Sequence, residues 1–290
     1  MREFRDKTVV ITGGASGIGL ALARAFLGEG SNVVIADIEQ SALDAAVTAL
    51  ESKAVLGVRT DVTDPASVEA LADATYAAFG ACHVLCNNAG VGAPSANVWD
   101  TTVNDWRWVH GVNVMGVVHG VLAFVPRMLA GGESGHILNT SSGDGGIEPL
   151  ASASVYAASK AAVSTLTECL AQQLISERTE LRASILYPSG GLLRTGLWTA
   201  DRNRPPELAR ERPRSTPTMT IEQLEERARE GGYALPFQDL DELAQVALQG
   251  IRDDRFVIMI DVETIGATLR ARAERFEQGA LPDAHQFGAR

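Results

Sequence analysis

The sequence predicts an α/β fold: a doubly wound parallel sheet of about seven strands with helices on both faces. Two observations predict it. Short β-branched and aliphatic runs alternate with helical periodicity along most of the 290-residue chain. These runs are apolar throughout, which is typical of strands buried on both faces of a parallel sheet. Right-handed crossovers between such strands give the doubly wound arrangement.

Each element has its own local signal. β-branched and aliphatic clusters predict strands at 7–12, 32–36, 54–59, 83–86, 136–140, 181–187 and 256–260. Apolar residues spaced three to four apart predict helices at 17–28, 40–51, 65–79, 103–130 and 152–177. Asp64 followed by Pro65 favours a helix start there, because aspartate caps free N–H groups and proline fits the first helical position.

Two segments depart from this alternation. Residues 190–236 are rich in proline and arginine and contain one helical stretch at 221–229. A connection of this length is usually functional or disordered, so we predict an inserted lid on the substrate side. Residues 261–290 are predicted as a C-terminal helix and tail. The whole chain, 1–290, is predicted to form a single domain.

Composition excludes several classes of function. The net charge of −11 argues against a nucleic-acid partner, because phosphate binding needs a basic surface. The sequence has no run of 18 apolar residues, so it predicts no membrane span. Residues 1–7 lack the features of a signal peptide. The three cysteines have no paired spacing and fit reduced thiols. We therefore expect a cytoplasmic protein without a membrane partner or a metal site.

A glycine-rich turn, Gly13-Gly14-Ala15-Ser16-Gly17-Ile18-Gly19, follows the first strand and opens the first helix. Glycines let the backbone approach a pyrophosphate, and the helix N-terminus offers free N–H groups. Asp37, at the end of the second strand, can accept hydrogen bonds from ribose hydroxyls and repel the 2′-phosphate of NADP. We predict NAD rather than NADP. The alternatives are a plain strand–helix turn and an Asp37 that caps a helix.

Tyr156 and Lys160 lie four residues apart on the helix predicted at 152–177, so both face the same side. A free phenol has a pKa near 10, and a lysine cation beside a nicotinamide ring favours its ionised form. The phenolate can take a proton from an alcohol as hydride leaves. With four tyrosines and three lysines in the chain, this pairing is expected by chance only about 0.04 times.

The glycine spacing within 13–19, together with Asn87-Asn88-Ala89-Gly90 after the fourth strand, resembles the short-chain dehydrogenase/reductase family. The resemblance covers roughly residues 5–190 and then a final helix–strand unit, and it implies a Rossmann-type fold. It also implies that Asp61 and Val62 flank the adenine and that Asn88, Ala89 and Gly90 lie along the cofactor. Asn87 and Asn88 also fit a buried amide pair that ties two strands together.

The resemblance completes the predicted catalytic set, which is Asn113, Ser142, Tyr156 and Lys160. Ser142 would hydrogen-bond the substrate oxygen and polarise it, with Ser141 as the alternative because the loop to Tyr156 is one residue longer than usual. Asn113, inside the helix predicted at 103–130, would hold a water that links Lys160 to solvent.

The resemblance is weakest after the sixth strand. The family usually has a Pro-Gly pair there, whereas Ser189 follows Pro188 in this chain, and two residues are inserted before Gly191. Thr195 remains the best candidate for the carboxamide contact, with Pro188 beside it. The family also implies a homodimer or homotetramer that assembles through the helices predicted at 103–130 and 152–177.

Together these features predict an NAD(H)-dependent oxidoreductase that interconverts a secondary alcohol and a ketone. A non-oxidative enzyme of the same fold, such as an epimerase or dehydratase, is the alternative, as is an NAD-dependent regulatory protein. The substrate pocket is expected from 92–98, 143–150 and 192–233. Apolar side chains nearby favour an apolar, ring-bearing substrate: Leu193, Leu197, Trp198, Trp99 and Phe237. Candidates to select a polar end group are Asp144, Glu148, Arg194 and the stretch 202–204.

Overall fold

The computed structural model describes residues 1–93, 95–189, 191–213 and 219–282. Seven parallel strands form one sheet in the order β3-β2-β1-β4-β5-β6-β7. Their bounds are β1 Thr8–Thr12, β2 Asn32–Asp37, β3 Val55–Arg59, β4 Val84–Asn87, β5 Gly135–Thr140, β6 Leu181–Leu186 and β7 Val257–Ile258. The predicted seven-stranded, doubly wound parallel sheet is therefore confirmed.

Helices cover both faces of the sheet. They are α1 Gly17–Gly28, α2 Gln40–Leu50, α3 Pro65–Phe79, α4 Val103–His110, α5 Gly116–Gly131, the short turn α6 Gly143–Gly146, α7 Ser154–Ser176, α8 Ile221–Glu230, α9 Leu240–Arg252 and α10 Val262–Glu277. Side chains alternate along each strand, so Val9 and Ile11 enter one core with α1, α2 and α9. Val10 enters the other core with α3, α5 and α7. This sandwich explains why the strands are apolar on both faces.

Three features of the secondary structure differ from the prediction. The helix predicted at 103–130 is divided by a π-helical segment, Gly111–Met115, that an apolar periodicity cannot reveal. The strand predicted at 256–260 is shorter in the structure, at Val257–Ile258. It lies at the edge of the sheet, where its neighbour is β6. The lid region contains two 3₁₀ segments besides α8, at Gly196–Asn203 and Pro206–Leu208. Residues 190, 214–218 and 283–290, parts of the predicted lid and tail, lie outside the described residues.

One helical run in the described chain, Val103–Gly131, is long and apolar enough to cross a membrane by length and composition. Its residues Val117, Phe124 and Met128 are buried in the protein core. Helices that cover a sheet have the same composition, so core packing accounts for these apolar residues.

Candidate active site

A cleft of about 600 Å³ opens at the carboxyl ends of the strands. It lies where the strand order reverses between β1 and β4, which is the usual ligand site of open α/β sheets. The β1–α1 turn and the ends of β2 to β5 line one side, and Pro188 with residues from 191 to 208 lines the other. All but one of the predicted cofactor residues line this cleft: Gly13, Ser16, Gly17, Ile18, Asp37, Asp61, Val62, Asn88, Ala89, Gly90, Tyr156, Lys160, Pro188 and Thr195.

The glycines of the β1–α1 turn have different physical roles. Gly13 and Gly17 have φ of +63° and +53°, a region that favours glycine. A Cβ on Gly17 would lie 3.0 Å from the Cγ2 of Thr195, so the lid segment packs directly on this turn. Gly19 is the predicted cofactor residue outside the cleft lining, and a Cβ there would lie 2.2 Å from the Gly13 carbonyl oxygen. Gly19 therefore lets α1 pack against the turn.

The N-terminus of α1 is open toward the cleft. Ser16 occupies the N-cap position but makes no side-chain capping hydrogen bond. The first N–H groups of a helix lack intrahelical partners and carry partial positive charge. The turn thus offers backbone donors where an anionic group of a ligand can bind.

Asp37 ties the end of β2 to this turn. Its Oδ2 accepts a hydrogen bond from the Ala15 N–H at 3.2 Å, and its Oδ1 accepts one from the Glu39 N–H at 3.1 Å. Burial raises the pKa of Asp37, and the backbone hydrogen bonds oppose that rise. Glu39, not Asp37, occupies the N-cap position of α2, so the helix-cap alternative for Asp37 is wrong.

Thr12 organises the loop after β4. Its Oγ1 accepts hydrogen bonds from the N–H groups of Asn88 and Ala89, at 3.0 and 3.1 Å. The Asn88 amide donates to the Thr12 carbonyl at 3.1 Å and accepts from the Thr140 hydroxyl at 3.3 Å. The loop is thereby held between β1 and β5.

The residues on either side of this loop complete the same edge of the sheet. Asn87 donates to Asn139 at 2.9 Å, which is the strand-tying amide contact considered above. Beyond β3, Asp61 accepts hydrogen bonds from the backbone and the hydroxyl of Thr63 at 2.9 and 2.8 Å. These contacts fix the edge of the cleft without the help of a ligand.

Tyr156 and Lys160 face the cleft from α7, as predicted. The Lys160 Nζ lies 5.7 Å from the centroid of the Tyr156 ring and donates to the Thr140 carbonyl at 2.8 Å. Burial lowers the pKa of Lys160 to about 8. Burial also raises the pKa of Tyr156 to about 12, against a hydrogen bond with Ser142 that lowers it. At pH 7 the phenol is therefore neutral and the lysine is mostly charged.

Ser141 and Ser142, the two candidate serines, differ in their contacts. Ser141 is buried, and its hydroxyl donates to the Lys160 carbonyl at 2.9 Å and contacts the Ser164 hydroxyl at 2.8 Å. Ser142 lines the cleft, and its interaction with the Tyr156 phenol lowers the pKa of that phenol. These contacts favour Ser142 as the serine next to Tyr156, and its role toward a substrate oxygen stays a prediction.

Asn113 lies in the π-helical segment, fully buried and outside the cleft lining. Its amide donates to the Val91 carbonyl and to the Ser159 hydroxyl, both at 3.0 Å, and its oxygen accepts from the Val91 N–H at 2.8 Å. Ser159 in turn donates to the Tyr156 carbonyl at 2.7 Å. Asn113 thus connects the loop after β4 to the turn of α7 that carries Tyr156.

The end of the cleft that is predicted to bind substrate is mostly apolar. Leu193, Leu197 and Trp198 line it, whereas Trp99 is 77% exposed and Phe237 packs under Arg194. Most of the charged residues proposed to select a polar end group are already in ion pairs: Arg194 with Glu225, Glu148 with Arg275, Arg202 with Glu39, and Arg204 with Asp105. Asp144 lines the cleft and makes no ion pair within the described residues, and burial raises its pKa.

Sequence reasoning missed several residues of this site. Thr12 and Ser159 position the predicted residues through hydrogen bonds. A serine one residue before the lysine gave no signal of its own, since serine is common in helical turns. Glu39 also escaped notice, and so did its pairing with Arg202 and Asn203 of the stretch 202–204, because these residues are far apart along the chain.

Comparison with known proteins places this geometry in a family. The sequence model described as short chain dehydrogenase matches residues 7–204. The chain is 38% identical over 208 residues to the C alpha-dehydrogenase of Sphingobium sp., covering 71% of this chain and 66% of that protein. It is 39% identical over 189 residues to the 1-deoxy-11-beta-hydroxypentalenate dehydrogenase of Streptomyces avermitilis, covering 64% and 69% of the two chains.

A solved structure gives the same result over the full length. The crystal structure of a short chain dehydrogenase/reductase from Burkholderia phymatum, in complex with NAD, superposes with a TM-score of 0.86. It is 40% identical and covers 99% of this chain and 100% of that one. The chain therefore belongs to the short-chain dehydrogenase family of oxidoreductases.

Proposed function

We propose that this protein interconverts a secondary alcohol and a ketone with NAD(H), and that Tyr156 transfers the proton. One observation carries the proposal: Ser142, Tyr156 and Lys160 converge in the same cleft as the glycine-rich turn and Asp37. A proton-transfer group and a dinucleotide cradle in one cleft suit hydride transfer between a carbinol carbon and a nicotinamide.

The residues fit NAD on three grounds. Gly13 and Gly17 adopt the positive φ of a tight glycine turn at the α1 N-terminus, which suits the close approach of a pyrophosphate. Asp37 places its carboxylate at the end of β2, where it would bond the adenosine ribose and repel a 2′-phosphate. Asp61 and Val62 would flank the adenine, Asn88 to Gly90 would run along the cofactor, and Pro188 and Thr195 would contact the carboxamide.

When bound, the cofactor would supply the hydride acceptor for the carbinol carbon or, as NADH, the hydride donor for the carbonyl carbon. In the direction of reduction, the neutral Tyr156 phenol donates its proton to the substrate oxygen while Ser142 holds that oxygen by a hydrogen bond. In the direction of oxidation, Tyr156 must first lose its proton and then accept one from the alcohol. The charge of Lys160 stabilises the phenolate formed in either direction.

Asn113 acts in this proposal as a positioning residue. Both hydrogens of its amide are donated to protein groups, which fixes Val91 on one side and Ser159 on the other. The role of Asn113 in holding a water for proton relay stays a prediction.

The substrate proposed is an alcohol or ketone with an apolar body. Leu192, Leu193, Leu197 and Trp198 would contact that body, and the Trp198 indole N–H is fixed on the Leu193 carbonyl at 2.8 Å. Asp144 would accept a hydrogen bond from a hydroxyl near the reacting carbon. The name of one relative, a hydroxypentalenate dehydrogenase, specifies a hydroxylated substrate, which agrees with this proposal.

Assembly as a homodimer or homotetramer is proposed through α5 and α7. These helices expose Leu122 and Ile175, with 66% and 65% of their surfaces accessible. Exposed large apolar side chains on adjacent helices favour burial against another subunit. Light scattering that gives a monomer would contradict this assembly. A cytoplasmic location also stays a prediction, and the three unpaired cysteines fit it.

The test is absorbance at the NADH band with NAD or NADP and a panel of secondary alcohols and ketones. Turnover with NAD, and much weaker turnover with NADP, is expected. Turnover with NADP alone would contradict the role of Asp37. Tight NADH binding without turnover of any panel member would favour the non-oxidative or regulatory alternatives.

A further inference from the structure

The lid segment Gly196–Asn203 is anchored at both ends of the cofactor cleft. At its start, Thr195 packs against Gly17 of the glycine-rich turn. At its end, Arg202 and Asn203 both donate hydrogen bonds to the same carboxylate oxygen of Glu39, at 2.6 and 2.7 Å. The segment therefore crosses from the nicotinamide end of the cleft to the adenosine end.

Glu39 lies beside the carboxylate proposed to bind the ribose. It follows Asp37 by two residues, and its N–H donates to the Asp37 Oδ1 at 3.1 Å. Glu39, Asp37, Arg202 and Asn203 all line the cleft. Two carboxylates and one guanidinium thus line the part of the cleft where the proposed function places the adenosine ribose.

The Arg202 guanidinium makes several hydrogen bonds at this place. Besides Glu39, it donates to the carbonyl oxygens of Gly196 and Thr199 at 2.9 and 3.0 Å. The hydrogen bond from Arg202 holds the pKa of Glu39 below its ordinary value. An arginine side chain can bind a phosphate through two parallel hydrogen bonds. Here the Arg202 guanidinium is instead paired with the carboxylate of Glu39.

We propose that Glu39 is a specificity-determining residue that selects NAD over NADP by occupying Arg202 and adding a second negative charge beside Asp37. This rests on the proposed function, in which the cleft binds a nicotinamide dinucleotide. A 2′-phosphate would face two carboxylates, and it could engage Arg202 only by breaking the ion pair with Glu39. The substitution Glu39→Gln removes the charge and releases Arg202 toward the phosphate.

The test is equilibrium titration of the full chain with NADH and NADPH, followed by protein and nicotinamide fluorescence without substrate. Wild type is compared with Glu39→Gln and with the double variant Glu39→Gln/Arg202→Gln. Glu51→Gln, at the exposed far end of α2, is the matched control. The Glu39 side chain makes no capping hydrogen bond, so Glu39→Gln removes no helix cap. Thermal unfolding of each variant verifies the fold.

We expect Glu39→Gln to bind NADPH at least about tenfold more tightly than wild type does, with NADH affinity changed by less than about threefold. The double variant is expected to lose most of that gain, and Glu51→Gln to behave as wild type. An unchanged ratio of affinities in Glu39→Gln overturns the role of Glu39, as does an equal loss of both affinities. A gain retained in the double variant overturns the role of Arg202. A wild type that binds NADPH more tightly than NADH contradicts the proposed cofactor instead.

Discussion

The charged Lys160 is buried at a cost that should be measurable in stability. Its side chain lies in the protein interior, and burial lowers its pKa from an ordinary 10.5 to about 8. That shift corresponds to about 3 kcal/mol of destabilisation at pH 7, since one pKa unit is about 1.4 kcal/mol. Lys160→Met removes this cost but leaves the Thr140 carbonyl without its donor, which costs about 1 kcal/mol.

We therefore expect Lys160→Met to be about 2 kcal/mol more stable than wild type at pH 7. For 290 residues the unfolding entropy is about 0.6 kcal/mol/K, so Tm should rise by about 3 °C. Activity should fall sharply in the same variant. This combination identifies a residue that is retained for function at the expense of stability.

The pH dependence has a definite sign. Because the pKa of Lys160 is lower in the folded state, the unfolded chain binds more protons between about pH 8 and pH 10.5. The free energy of unfolding of the wild type therefore rises with pH across that interval. The difference in stability between Lys160→Met and the wild type becomes smaller. Urea unfolding at pH 7 and pH 10, with the exposed Lys53→Met as control, measures the difference. A Lys160→Met variant that is less stable at pH 7, or an advantage independent of pH, would refute the reasoning.

Three further variants have expected outcomes. Asp105→Asn leaves Arg204 and Arg210 buried without their counter-charge. The free energy of unfolding should therefore fall by about 3 to 5 kcal/mol and Tm by about 5 to 8 °C. A decrease in Tm below about 2 °C in a thermal melt contradicts this. Gly19→Ala forces α1 away from the turn, and NADH affinity in a fluorescence titration should fall at least about tenfold; an unchanged affinity contradicts the packing role. Glu148→Arg and Arg275→Glu should each lower kcat, because this ion pair joins α10 to the loop after Ser142. The double swap should restore part of the loss, and a swap no better than either single variant would count against the link.

The cofactor side of the cleft could be predicted from the sequence because its signals are local. The glycine-rich turn, Asp37 and the Asn87–Gly90 loop each follow directly after a strand, and the carboxyl ends of parallel strands meet at one edge. Tyr156 and Lys160 were found for the same reason, since helical spacing alone places both on one face. The doubly wound sheet followed from strands that are apolar on both faces.

The remaining parts of the site depend on contacts that no local pattern contains. Arg202 and Glu39 are separated by 163 residues, and an arginine-rich lid gives no indication of which arginine meets which acid. The π-helical segment around Asn113 continues the apolar face of its neighbours, so periodicity could not separate it from α-helix. Most of the charged residues proposed to bind substrate are paired within the protein, with partners that are distant along the chain.

The proton-transfer role of Tyr156 is tested most directly by the rate of hydride transfer in a single turnover of Tyr156→Phe. The variant is mixed with saturating cofactor and substrate, and absorbance at the NADH band is followed. Because phenylalanine keeps the ring but has no proton to transfer, we expect NADH affinity near wild type and a rate lower by about 10² to 10⁴. A rate within tenfold of wild type would contradict the central claim that Tyr156 carries the proton.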